Sequence, residues 1–373
     1  MSAWITFVAW CAARGLQDVP LTLDERGARG LTATRPLESG DTLIAVPDAL
    51  LITGAKCRRV LKRGSVALDA CQDHVTEMRN KMDSEYKEAQ KVWGQSEGDG
   101  SSLVYRDFVW AWLCGTLRDA NLPTTGTHPH PLVNTRCIYL DTDGKGKRDD
   151  NIALAPFLDF LNHSSRAQVR AAYNHKQRAY VITTDTPYTV GQEVFIRYGN
   201  HSNAFLLAEY GFVERDNPFN TVNLDHAFAT MRVDGESDEE RQAKLDYLAT
   251  HGYLNDYDIV VGDYNYRLLC ALRLRCLPCP QLPLESNASV AKWHQVIYEG
   301  KEMVSIENER AMHKALVSLL QNALAEARRK KQHLAQLDTN AQQARESILQ
   351  VWSETIDILT RSLADIENNE VMV

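Results

Sequence analysis

Ala155-Pro156-Phe157-Leu158-Asp159-Phe160-Leu161-Asn162-His163 opens the most telling segment of this 373-residue chain. Phe195-Ile196-Arg197-Tyr198-Gly199 answers it, with Tyr198 standing 35 residues after His163. A polar Asn-His pair follows one apolar run, and an isolated Tyr-Gly follows a second. Ser202-Asn203-Ala204-Phe205-Leu206-Leu207-Ala208-Glu209-Tyr210-Gly211-Phe212 completes the segment.

Around these runs, residues 152–213 read as β material. Residues 180–184 alternate as a strand does, Val190-Gly191-Gln192-Glu193 reads as a turn, and 194–198 as the next strand. Upstream, 21–53 also read as strand and turn: a glycine turn at 27–30, a hairpin-type turn at Ser39-Gly40-Asp41, a strand over 42–46 and a break at Pro47. Such short pieces suit a compact β domain with knotted-looking connections and not a doubly wound sheet. A charged helix is expected over 66–93, an aromatic-rich helix over 103–117 and a surface hairpin tip over 141–150. The apolar residues 4–13 read as a buried N-terminal helix, too short to span a bilayer. Beyond about residue 225 the pattern turns helical, over 237–250, 264–276, 302–329 and 341–366. The last helix carries Ile348, Trp352, Ile356, Leu359 and Leu363 as one stripe. The basic run 328–331 reads as a solvated helix end. The fold class is α+β, in three parts: a helix in 1–20, a β-rich domain over 21–222 with a helical insertion at 54–130, and an α-helical domain over 223–373.

Composition narrows the function. Hydrophobic residues at 44% and charged ones at 24% are those of a globular protein. A net charge of −8 disfavours direct binding to nucleic acid through phosphates, and mildly suits a basic substrate segment. The eight cysteines are scattered and no secretory signal is visible, so reduced thiols in cytoplasm or nucleus are expected. Cys276-Leu277-Pro278-Cys279 has Cys270 upstream but no second pair, and His128-Pro129-His130 has no nearby partner, so no metal is expected. Neither a phosphate loop nor a dinucleotide fingerprint is present.

The Asn-His and Tyr-Gly runs together resemble the SET domain of the Rubisco-methyltransferase-like class. The match is strong over 152–222, fair over 25–53 and 134–140, and diffuse over the C-terminal helices. The resemblance implies a SET-type β fold split by a helical insertion, with a helical substrate-binding-like domain behind it. It implies S-adenosyl-L-methionine as cofactor and a protein amine as acceptor: a lysine of a histone or non-histone protein, with histidine left open. It assigns Tyr198 to catalysis. It assigns Asn162 and His163 to the cofactor, and with them Asp159, which either supports the turn or touches substrate. Ala28-Arg29-Gly30 matches the family's Gly-x-Gly turn past the cofactor, with Ala28 in place of the first glycine. Arg136 matches an arginine that contacts bound ligands; a carboxylate clamp and a surface ion pair are both open. Tyr210 and Phe212, with Tyr173 on a looser match, are implied as aromatic walls of the substrate channel. Between 53 and 66 the chain is shorter than the family pattern, so a non-catalytic scaffold that binds a partner through its helical domain is the competing reading.

Overall fold

The computed structural model describes residues 3–24, 30–53, 137–140, 152–279, 283–336 and 342–369. The helices expected over 66–93 and 103–117, the insertion at 54–130 and the hairpin tip at 141–150 lie outside the described residues. The chain divides into two compact units, 1–200 and 201–373.

The first unit opens with helix α1 (Ala3–Ala12) and continues through short strands: β1 (Leu21–Leu23), β2 (Leu31–Ala33), β3 (Thr42–Pro47), β4 (Ile52–Thr53), β5 (Cys137–Tyr139), β6 (Ile152–Leu154), β7 (Asn162–His163), β8 (Val169–Asn174), β9 (Ala179–Thr184) and β10 (Glu193–Ile196). They form three small sheets, ordered β1-β2-β10-β7, β3-β9-β8 and β4-β6-β5. Among the described residues, only β7 and β10 pair in parallel; the other pairs are antiparallel. Gly40 and Gly191 take φ of 96° and 78° at the two turns expected of them. Leu31, Leu43, Ile44, Val46, Leu50, Leu51 and Val194 pack into one apolar core. Helix α1 departs from expectation. It is not buried: Trp4, Phe7 and Cys11 face that core, whereas Ile5, Val8 and Trp10 are 54%, 36% and 41% exposed. A helix that is apolar all round can press only one face onto a core this small.

The second unit is helical: α2 (Asp225–Thr230), α3 (Asp238–Thr250), α4 (Tyr266–Arg275), α5 (Ala288–Glu299), α6 (Ile306–Gln336) and α7 (Gln342–Asn369), with a two-stranded ribbon of β11 (Val222–Asn223) and β12 (Asp258–Ile259). Ser237 caps α3 and Asn265 caps α4, each side chain accepting from a first-turn N–H. Helix α5 was not expected, although Asn287 caps it and Val290, Trp293 and Val296 bury one face. The basic run 328–331 is not at a helix end, because α6 continues to Gln336. Its Lys330 pairs with Glu326 at 2.7 Å and lies over the Trp352 ring. Buried charges brace this unit. Arg275 grips Glu236 with two bonds of 2.9 and 2.5 Å. Lys244 meets Glu240 at 2.8 Å and donates to the carbonyls of Arg275 and Leu277.

Candidate active site

Strand β7 is only two residues long and exists because β10 runs beside it. Phe195 stands opposite Asn162, and Ile196 opposite His163. Two runs distant in sequence thereby become neighbours, and Asn162, His163 and Tyr198 meet at the end of one strand pair. The chain enters β7 through a single 3-10 turn, Leu158–Phe160, whose preceding residue Phe157 holds φ of 76°. That left-handed value is unusual for a bulky side chain and needs outside support. Helix α1 supplies it. The Phe157 ring is buried 5.3 Å from Trp4, and Phe160 sits 5.4 Å from Trp4 and 5.5 Å from Phe7. The N-terminal helix therefore buttresses the turn that carries Asp159 and delivers Asn162.

Tyr198 was expected inside a strand over 194–198, but β10 stops at Ile196. The Tyr198 N–H donates to Nδ1 of His163 at 3.1 Å in place of a ladder bond. Its hydroxyl donates to the Leu161 carbonyl at 2.8 Å, and its ring lies 5.2 Å from the imidazole. Two consequences follow. A ring nitrogen that accepts carries no proton, so His163 is neutral with its hydrogen on Nε2. The phenol proton is committed to a main-chain carbonyl, so the Tyr198 oxygen meets an approaching group as an acceptor. On the other side of β10, Asn162 Nδ2 donates to Glu193 Oε1 at 2.8 Å. Gly30 packs against that pair. Glu193 is the residue that sequence reasoning missed, having read it only as the end of a turn.

Asp159 is half-buried on the 3-10 turn and lies beside Cys137. Burial, and then the Asp159 charge, push the Cys137 thiol up to about 11. Ala28, Arg29 and Arg136 lie outside the described residues. Tyr173 is placed in a different sheet, on β8, where its hydroxyl donates to Asp48 at 2.8 Å; burial and that bond raise the phenol. Tyr210 and Phe212 belong to the second unit. They flank Gly211, at φ of 79°, at the end of a π-helical turn over Leu206–Tyr210, with their rings 6.2 Å apart. Such turns recur at functional sites. That segment is pinned by Asn203, whose amide donates to Glu214 O and to both oxygens of Glu354 and accepts from the Glu214 N–H. Among the described residues no group of three or more His, Cys, Asp or Glu is arranged to hold a metal. Burial raises Cys270 and Cys279, and pushes Cys276 up to about 11, which keeps these thiols protonated.

Comparison with known proteins bears on this arrangement. Residues 28–199 match the SET domain, and residues 235–359 match the Rubisco LSMT substrate-binding domain. Mouse SET domain-containing protein 4 is 35% identical over 213 residues, 56% of this chain and 42% of that protein. Ribosomal lysine N-methyltransferase set11 of Schizosaccharomyces pombe is 29% identical over 209 residues, 56% of this chain and 45% of that protein. The match thus spans less than half the length of both relatives. A crystal structure of the SET domain of LSMT bound to lysine and AdoHcy shares the fold, with a TM-score of 0.58 at 17% identity, covering 99% of this chain and 92% of that one. The chain thus carries a SET domain followed by a Rubisco LSMT substrate-binding domain.

Proposed function

We propose that this chain is an S-adenosyl-L-methionine-dependent protein methyltransferase that modifies a lysine side chain. The observation that carries the reading is the β7–β10 pairing, which gathers a neutral amide, a neutral imidazole and a phenol oxygen at one strand end. These groups fit a cofactor that is cationic at its sulfonium and its ammonium. They are acceptors or neutral donors, and the Glu193 carboxylate stands directly behind Asn162.

When bound, the cofactor supplies an electrophilic methyl group. The residues of this chain do the rest. Asn162 and His163 bind it, and Gly30 lies against Asn162; Asp159 is assigned to it on the family pattern. Ala28, Arg29 and Arg136 are assigned to it on the family pattern. In-line displacement needs the amine nitrogen held at about 3 to 3.5 Å from the methyl carbon with its lone pair aligned. Tyr198 orients that amine, its oxygen accepting an amine N–H while its own O–H stays donated to the Leu161 carbonyl. The acceptor must arrive uncharged, although an exposed lysine has a pKa of about 10.4. Apolar walls and a neighbouring positive charge both favour the neutral amine. The family pattern alone assigns Tyr173, Tyr210 and Phe212 as aromatic walls.

A lysine acceptor is supported by the names of the relatives. Charge supports a basic partner segment: residues 201–373 hold 26 Asp and Glu against 17 Lys and Arg, whereas 1–200 hold 23 against 24. The substrate is accordingly read as a basic stretch of a histone or non-histone protein, met in cytoplasm or nucleus. Calorimetry of S-adenosyl-L-methionine binding tests the reading. The wild type should bind saturably and Asn162→Ala about tenfold more weakly. Label should then pass from the cofactor to lysine-rich proteins. A well-folded wild type that binds nothing would leave the scaffold reading in its place.

A further inference from the structure

Glu193 is the first residue of β10, in register with Thr32 of β2, and it lies two residues before Phe195, the partner of Asn162. Residues i and i+2 of a strand share a face, so the Glu193 side chain reaches diagonally across to β7 and meets the Asn162 amide at 2.8 Å. A carboxylate only accepts. An Asn162 turned the other way would set its amide oxygen against Oε1, acceptor against acceptor. The bond therefore fixes which end of the amide faces Glu193, and so fixes the oxygen on the opposite side.

Gly30 belongs to the same device. Its φ lies outside the left-handed region, so its backbone angles do not call for glycine. Space does: a Cβ there would stand 2.4 Å from Glu193 Oε1 and 3.0 Å from Asn162 Nδ2. The conflict falls on the end of a flexible side chain, so an alanine at this position displaces the Glu193 carboxylate and spares the backbone.

We propose that Glu193 is a positioning residue of the cofactor site, which acts by holding the Asn162 amide in one orientation, and that Gly30 is glycine to leave room for this pair. The proposal rests on the methyltransferase reading above. Removing the carboxylate lets the amide turn over, and a cofactor that needs its oxygen then meets the wrong end for part of the time.

The experiment is calorimetry of S-adenosyl-L-methionine with the full chain as wild type, Asn162→Ala, Glu193→Ala, the double variant, Glu193→Gln and Gly30→Ala, with thermal unfolding of each alongside. Glu193→Ala should weaken binding about tenfold, and the double variant should bind no more weakly than Asn162→Ala alone. Glu193→Gln should recover most of the affinity, because its amide oxygen still accepts. Gly30→Ala should behave like Glu193→Ala while unfolding as the wild type does, and it carries the test should Glu193→Ala fail to fold. Additive losses in the double variant overturn the proposal, since a merely structural Glu193 would not couple to Asn162. Wild-type affinity in both Glu193→Ala and Gly30→Ala also overturns it. A folded wild type without cofactor binding overturns the methyltransferase reading and this proposal together, and that pattern differs from failure of the proposal alone.

Discussion

Among the described residues of 1–200, the buried polar side chains are Thr32, Ser165 and Thr184, and no Lys, Arg, Asp or Glu is buried. The candidate site residues of that unit, Asn162, His163, Glu193 and Tyr198, are half-buried and lie at one strand pair. In 201–373, by contrast, Lys244, Arg273 and Arg275 are buried, the last of them against a Glu236 side chain that is 2% exposed. A charge taken out of water costs several kcal/mol, which is offset only while its partner stays in place. The charges of the second unit are therefore part of its frame, and the polar groups of the first unit are not. Deleting a polar group from the first unit should alter what the site does and leave the fold standing. Deleting a buried charge from the second should destabilise the fold itself.

The most severe way to break this contrast is Arg275→Ala. It removes both guanidinium bonds to the buried Glu236 carboxylate and leaves that carboxylate only Lys244, at 3.4 Å. The expected loss is about 3–5 kcal/mol in urea unfolding of the whole chain. Replacing both partners by apolar residues, Arg275→Met with Glu236→Leu, should recover much of that loss, because no charge is then left alone. A single-variant cost near zero would mean that the pair is ornamental and that the two units do not differ in this way. Tyr198→Phe probes the other side. Stability should fall by only about 0.5–1.5 kcal/mol for the lost bond to Leu161, with cofactor affinity kept. Methyl transfer should drop about 100-fold or more, the scale on which single positioned donors and acceptors act in active sites. Steady-state rates and calorimetry on one preparation separate the two effects. Unchanged transfer removes Tyr198 from the mechanism.

The same contrast explains what could be read from the chain. Local chemistry was legible: the turns at Gly40 and Gly191 and the apolar stripe of α7 each follow from residues within a few positions of one another. Asn162, His163 and Tyr198 stood out because polar residues at the ends of apolar runs form a pattern in one dimension. Glu193 did not, since its part depends on β10 lying parallel to β7, and strand register leaves no local mark. Helix α5 did leave one, in the Asn287 cap and the spacing of Val290, Trp293 and Val296, though the Pro and Ser residues before it mask the start of the helix. The exposed face of α1 was illegible for a different reason. Its sequence is apolar all round, and only the size of the core beneath it determines how many of those side chains are covered.

A smaller effect sharpens the comparison through pH. Glu240 accepts from Lys244 Nζ and from the Cys279 N–H, both at 2.8 Å. Burial pushes its carboxyl up, but these bonds outweigh burial and hold it below the ordinary carboxylate value. A carboxyl held lower in the folded than in the unfolded state contributes in full above its unfolded pKa, about 4.3, and its contribution is lost as pH falls through the folded value. Glu240→Gln should therefore destabilise the chain at pH 7, by about 1 kcal/mol, and its gap to the wild type should narrow as pH drops from about 5 towards 3. Urea unfolding of both proteins at the two ends of that range checks the sign. A gap that persists undiminished at acid pH would show that Glu240 holds α3 by its shape and not by its charge, and would move it to the same footing as the neutral polar groups of the first unit.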